Sequence, residues 1–176
     1  PVYTFWDLGF GDSTAIWFVQ MVAMRYRVID YIEDNRKSID HYVRVIQSKP
    51  YVFERHYLPH DGRHANLATG KTIQEIVEGF GLRVEIVPQI GIDNGINAVR
   101  MAMPNVWIDE NKCKEGIKAL EYYHYETDKN GNRRNIPAHD WSSHGCDAFR
   151  YMAVAFKESV KHKPIKKAYV QHGWMG

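Results

Sequence analysis

The sequence predicts an α/β fold, a mixed central β-sheet flanked by helices, and three observations carry that expectation. Three β-rich apolar segments near the N-terminus are separated by turn residues, as paired strands require. From Ser38 onward, helix-spaced apolar residues alternate with short β-rich runs, which implies further strands with helices packed over the sheet. The 176 residues, 44% hydrophobic and 25% charged, suffice for one domain with a real core and would be cramped as two.

The leading strands are expected at Val2–Trp6, Thr14–Gln20 and Arg25–Glu33, the first two joined across Gly9-Phe10-Gly11-Asp12-Ser13. Asp34-Asn35 signals a turn. Ser38 is placed to cap a helix carrying Ile39, Tyr42, Val43 and Ile46, closed by Pro50. A fourth strand, Tyr51–Tyr57, runs into the turn Pro59-His60-Asp61-Gly62-Arg63. Thr72 and Glu75 make a capping box ahead of Ile73, Ile76, Val77 and Phe80, with Gly81 as the stop. A short strand at Val84–Val87 ends at Pro88. Ile96, Val99 and Met103 mark a helix before Pro104, and Val106–Ile108 is another short strand. Asp109 is expected to cap a helix bearing Ile117 and Leu120. The polar stretch Asp128–Arg134 reads as a hairpin tip or a mobile loop. Ser142 or Ser143 then caps a last helix with Ala148, Phe149, Met152, Ala155 and Phe156 on one face. The expected division is one domain over residues 1–160 and a basic, poorly ordered tail over 161–176.

A formal charge of +2 does not advertise a polyanionic partner, so an anionic substrate would be met by local patches or by metal. Aromatic residues at 13% suit a sheet core and also suit stacking on bases. Two cysteines, Cys113 and Cys146, make neither a disulfide framework nor a four-cysteine zinc site, and read as buried thiols. No apolar run approaches the roughly 18 residues of a membrane span, and no secretory pattern opens the chain. The start at Pro1, without Met, suggests a piece of a longer protein.

Three carboxylates stand out. Asp7 ends an aromatic strand, where an unpartnered buried charge is costly, and Gly9 behind it permits close approach. Asp61 follows a strand within a Pro/Gly turn, and Asp147 lies near the start of the last helix, away from its apolar face. Each also has a structural reading: a hairpin cap, a turn residue, and a charge suited to a helix N-terminus. Taken together they are the oxygen-donor set that hard divalent cations prefer. Two such ions about 3.5–4 Å apart can activate water and stabilise the leaving oxygen of a phosphodiester. Asp140 is a rival to Asp147. His56, His60 and His64 recur every fourth residue, but Pro59 and Gly62 break any helix that would align them. His60 and His144 are candidates for contacts around the acids. Gly70-Lys71-Thr72 lacks the earlier glycine and the leading strand of a phosphate-binding loop.

Trp6-Asp7-Leu8-Gly9 with Gly11-Asp12-Ser13-Thr14-Ala15 resembles the start of the nuclease domain of large terminase subunits from tailed bacteriophages. Tyr57-Leu58-Pro59-His60-Asp61-Gly62 resembles that family's second acidic motif, and the stretch from His139 through Asp147 to Tyr151 its third. The resemblance implies an RNase H-like fold, to which a three-strand meander with parallel additions conforms. It implies a metal-dependent endonuclease that cleaves concatemeric viral double-stranded DNA during genome packaging. Asp7, Asp61 and Asp147 would hold Mg2+ or Mn2+, two ions in all, with Asp12 and Asp140 as supporting acids. Arg63, Lys71, Arg133 and Arg134 would touch DNA phosphates. The implied partners are an N-terminal packaging ATPase domain outside this sequence, the small terminase subunit and the portal. The implied setting is the cytoplasm of the infected bacterium, at the procapsid portal. The competing expectations are another RNase H-like nuclease, such as a Holliday-junction resolvase, and a noncatalytic docking domain of the packaging motor.

Overall fold

The computed structural model describes residues 1–9, 12–65 and 70–161. Strands β1 (Val2–Asp7), β2 (Ser13–Val22) and β3 (Arg25–Asn35) form an antiparallel meander. Helix α1 (Ile39–Ser48) then crosses to β4 (Phe53–Leu58), parallel to β1, followed by a 3-10 turn at His60–Arg63. Helix α2 (Ile73–Gly79) leads to β5 (Val84–Ile86), parallel to β4, and α3 (Ile92–Ala102) leads to β6 (Val106–Ile108), parallel to β3. After α4 (Lys114–Tyr122) come a separate hairpin, β7 (Tyr125–Thr127) with β8 (Arg133–Pro137), and then α5 (Ser143–Lys161). The main sheet runs β5-β4-β1-β2-β3-β6, the mixed arrangement expected.

Alternation along the central strands feeds two cores, because a strand sends successive side chains to opposite faces. Phe5, Ala15, Trp17, Val19 and Tyr31 meet Phe149, Met152 and Phe156 of α5. Trp6, Ile16 and Phe18 meet Tyr42, Val43 and Ile46 of α1 and Val77 of α2. Both faces of β1 and β2 are therefore sealed, and polar groups there need internal partners. Thr4 and His56 satisfy one another: Trp6 Nε1 donates to Thr4 Oγ1 over 2.7 Å, and that hydroxyl lies 2.8 Å from His56 Nδ1. Burial lowers the His56 pKa to about 4, so its ring is neutral in the core. The histidine triplet is thus dispersed: His56 lies in the core on β4, and His60 opens the 3-10 turn.

Local signals held well at several ends. Both capping-box bonds form between Thr72 and Glu75, and Gly81 takes φ +82° after α2. The 128–134 stretch is a hairpin tip, with the Asp128 carboxylate accepting from the Asn130 and Asn132 amides. Two expectations are corrected. Strand β4 begins at Phe53 rather than Tyr51, because Tyr51 turns its hydroxyl to buried Asp30. Asp109 closes a turn through the Asn111 and Lys112 amides, and α4 begins later, at Lys114. Helix α5 runs to Lys161; residues 162–176 of the expected tail lie outside the described residues, as do Phe10 and Gly11. Among the described residues no helix is long and apolar enough to cross a membrane.

Helix α4 lies on the sheet through a glycine. A Cβ at Gly116 would stand 2.2 Å from the Trp17 ring. Gly116→Ala must therefore displace a fully buried indole, and we expect a loss of ~1–3 kcal/mol in urea unfolding followed by Trp fluorescence. Unchanged stability would show that α4 does not bear on Trp17 in solution.

Candidate metal centre

The three acids come from three elements that end at the same edge of the sheet. Asp7 is the last residue of β1 and pairs in register with Ala15 of β2, which pairs with Glu33 of β3. Neighbours in register share a face, so the small side chain of Ala15 leaves room above the end of β1. The first turn of α5 fills that room. Trp17 Nε1 donates to the Gly145 carbonyl over 2.7 Å and pins the turn to β2. Strand β4 lies beside β1, so the 3-10 turn that follows it delivers Asp61 to the same end. Asp147 shares its helical face with His144 and Arg150, three residues away on either side.

His144 Nδ1 lies 3.2 Å from Asp7 Oδ2, with both side chains largely buried. Arg150 Nη1 lies 2.8 Å from Asp147 Oδ1. That contact is outside hydrogen-bonding direction: Asp147 Oδ1 and Asp61 Oδ1 are buried oxygens without a hydrogen-bond partner among the described residues. The arginine therefore compensates the charge of Asp147 without satisfying its lone pair.

Burial is the first cause of the shifts. It raises the Asp147 pKa to about 6, against the opposing pull of Arg150, with Asp7 adding to the rise. Asp7 is also raised, by burial first; His144 pulls it down and Asp61 pushes it up. His144 is raised by its bond to Asp7. The Tyr151 hydroxyl, raised mainly by burial, also feels Asp7, Asp147 and Asp61. The three carboxylates thus act on common neighbours and, through Asp7, on one another.

This donor set fits a hard cation. Two carboxylate oxygens lack partners among the described residues, and a bound cation would offset the burial that raises Asp7 and Asp147. Among the described residues no three His, Cys, Asp or Glu side chains converge as a ready ligand set, so closing on an ion requires side-chain rotation.

The other candidates separate. Asp12 is exposed at the rim, 4.0 Å from His144 Nε2 and 3.7 Å from His139 Nε2. Asp140 turns away: its Oδ1 accepts from the Ser142 amide and hydroxyl at 2.9 and 2.6 Å, which shapes the entry to α5. Arg63 and Lys71 are exposed. Arg133 stacks on Tyr125 at 3.8 Å, and Arg134 pairs with Glu126 at 2.8 Å, both within the small hairpin. Sequence reasoning passed over Arg150 and Glu33. Glu33, in the Asp7–Ala15 row, accepts the Tyr31 hydroxyl; strand register is the signal that would have found it.

No protein-family model matches the chain, and no curated protein matches it in sequence. Solved structures do. The large terminase nuclease domain of bacteriophage SPP1, with bound Mn, is 20% identical, with 90% of this chain and 86% of that one covered, at a TM-score of 0.63. The P22 large terminase nuclease domain is 16% identical, covering 89% and 81%, at 0.66. A large terminase from a thermophilic bacteriophage is 16% identical, at 0.65; 86% of this chain is covered, and the chain spans 39% of that protein's length. Matched large terminase nuclease structures from another thermophilic phage carry cobalt and magnesium. The chain has the RNase H-like fold of these nuclease domains.

A carboxyl whose folded pKa lies above its unfolded one stabilises the fold while protonated, and that contribution is lost as pH rises through the folded value. For Asp147 the window runs from its ordinary 3.8 to about 6. In metal-free buffer, Asp147→Asn should gain on the wild type as pH rises from 4 to 7, by up to ~3 kcal/mol. Urea unfolding at three pH values in EDTA measures this, and a pH-independent difference would contradict a desolvated carboxyl at 147.

Proposed function

We propose that this chain is a divalent-metal-dependent endonuclease, the nuclease part of a large terminase, cutting concatemeric viral double-stranded DNA during packaging. The observation that supports the reading is that the elements bearing Asp7, Asp61 and Asp147 reach one end of the sheet, in a fold shared with large terminase nuclease domains. The bound Mn, Co and Mg of those structures support a divalent ion as the partner of such acids.

In this reading Asp7, Asp61 and Asp147 hold Mg2+ or Mn2+, in a two-ion arrangement. Such ions would supply a hydroxide-like water at neutral pH and stabilise the departing 3′ oxygen. The chain's own groups prepare that chemistry. His144 holds Asp7 Oδ2 and so fixes the carboxylate's orientation. The seating of α5 on Trp17 sets Asp147 opposite Asp7. No side chain is assigned as general base. Asp12 stays at the rim as a supporting acid, Asp140 serves the turn, and Arg63, Lys71, Arg133 and Arg134 are offered for phosphate contact without base reading.

Because the chain spans only 39% of a matched large terminase, the activity of the whole protein is also part of the proposal. Its further parts are an N-terminal packaging ATPase domain, the small terminase subunit and the portal, in the cytoplasm of the infected host.

Supercoiled plasmid incubated with the chain and Mn2+ or Mg2+ should be nicked and linearised, and EDTA should stop it. Asp7→Asn should abolish cleavage while the circular-dichroism spectrum stays unchanged. Full activity in that variant, or none in the wild type with either metal, would overturn the reading.

A further inference from the structure

We propose that Arg150 is a fixed cation that competes with a metal ion at Asp147, so that an ion there binds tightly only when a DNA phosphate offsets the combined positive charge. This rests on the metal-dependent reading above.

The argument starts from how Arg150 is held. Its side chain is 11% exposed, and its guanidinium stands 2.8 Å from Asp147 Oδ1. Helix α3 crosses directly over its stem at Gly95, where a Cβ would come 2.2 Å from Arg150 Cδ and 2.5 Å from Cγ. Apolar Ile96, Val99 and Phe149 wall the same pocket, and the Tyr151 ring lies 5.7 Å from the guanidinium. The stem is therefore confined beneath α3, and the guanidinium stays beside Asp147. An arginine keeps its charge at every working pH.

That fixed charge sits beside an oxygen it does not hydrogen-bond. A lone pair left open next to a permanent cation differs from an ordinary buried ion pair, in which both would be spent on each other. The oxygen can still accept an ion, but the ion would enter within a few ångströms of a like charge, in a poorly screened place. A phosphodiester brings a negative charge to the same spot. Arrival of DNA then changes the balance from repulsion to bridging, and occupancy at Asp147 becomes coupled to substrate.

The test counts Mn2+ bound per chain by electron paramagnetic resonance, with thermal shift alongside, in the wild type and in Arg150→Gln, Arg150→Lys and Gly95→Ala. Each is titrated alone and with a short phosphorothioate duplex. The wild type should gain a tightly bound Mn2+ when the duplex is present. Arg150→Gln should hold that ion without DNA, with affinity raised about tenfold or more. Arg150→Lys, which keeps the charge, should follow the wild type, and Gly95→Ala, which pushes the stem aside, should move toward Arg150→Gln. Unchanged or weaker Mn2+ binding in folded Arg150→Gln would overturn the proposal. Should that variant not fold, wild-type binding by Gly95→Ala would overturn it. If none of the four proteins bound Mn2+, with or without duplex, the metal-dependent reading itself would fall, a result distinct from equal binding by all four.

Discussion

A hydrogen bond from an indole to a carbonyl, Trp17 Nε1 to Gly145, seats the first turn of α5 against the sheet, and the candidate centre depends on that seat. The indole is fully buried, with Tyr31 at 4.3 Å, Phe149 at 5.3 Å and Gly116 of α4 against its rim. Below it, Phe149, Met152 and Phe156 fix the helix axis. His144, Gly145 and Asp147 thereby inherit their positions from a core contact. Loosening Trp17 would separate Asp7 from Asp147 without touching either.

The same seat brings carboxylates into a place that disfavours their charge. The raised pKa of Asp147 corresponds to a cost of ~3 kcal/mol at neutral pH. Burying Phe149, Met152 and Phe156 contributes roughly 5–9 kcal/mol, so the helix can carry the charge cost and stay seated. His144 lowers the cost at Asp7 chiefly by hydrogen bonding, and Arg150 lowers that at Asp147 by charge. The core beneath the acids makes their burial tolerable.

Much of the architecture was legible in the sequence because it rests on local rules. Apolar, β-rich runs between turn residues marked β1 to β3, and Thr72 with Glu75 marked the start of α2. The three acids could be singled out because a carboxylate at the end of an aromatic strand is conspicuous. What stayed hidden depends on distant pieces meeting. Arg150 gains its place only because Gly95 of α3 comes to lie over its stem. Glu33 gains meaning only through the register that sets it in line with Ala15 and Asp7. Asp109 misled for the opposite reason: a short acid before a helix signals a cap, and its carboxylate closes a turn just ahead of the helix.

The borders of the sheet carry a consequence of another kind. Both outermost strands, β5 and β6, are three residues long, Pro88 follows shortly after one and Pro104 precedes the other. At the β6 border the Arg25 guanidinium lies over Trp107, 5.1 Å from the ring. A stray extended segment arriving at either border finds too few backbone groups to zip onto, and at one it meets a charge as well. The main sheet thus offers another chain little to extend at either border.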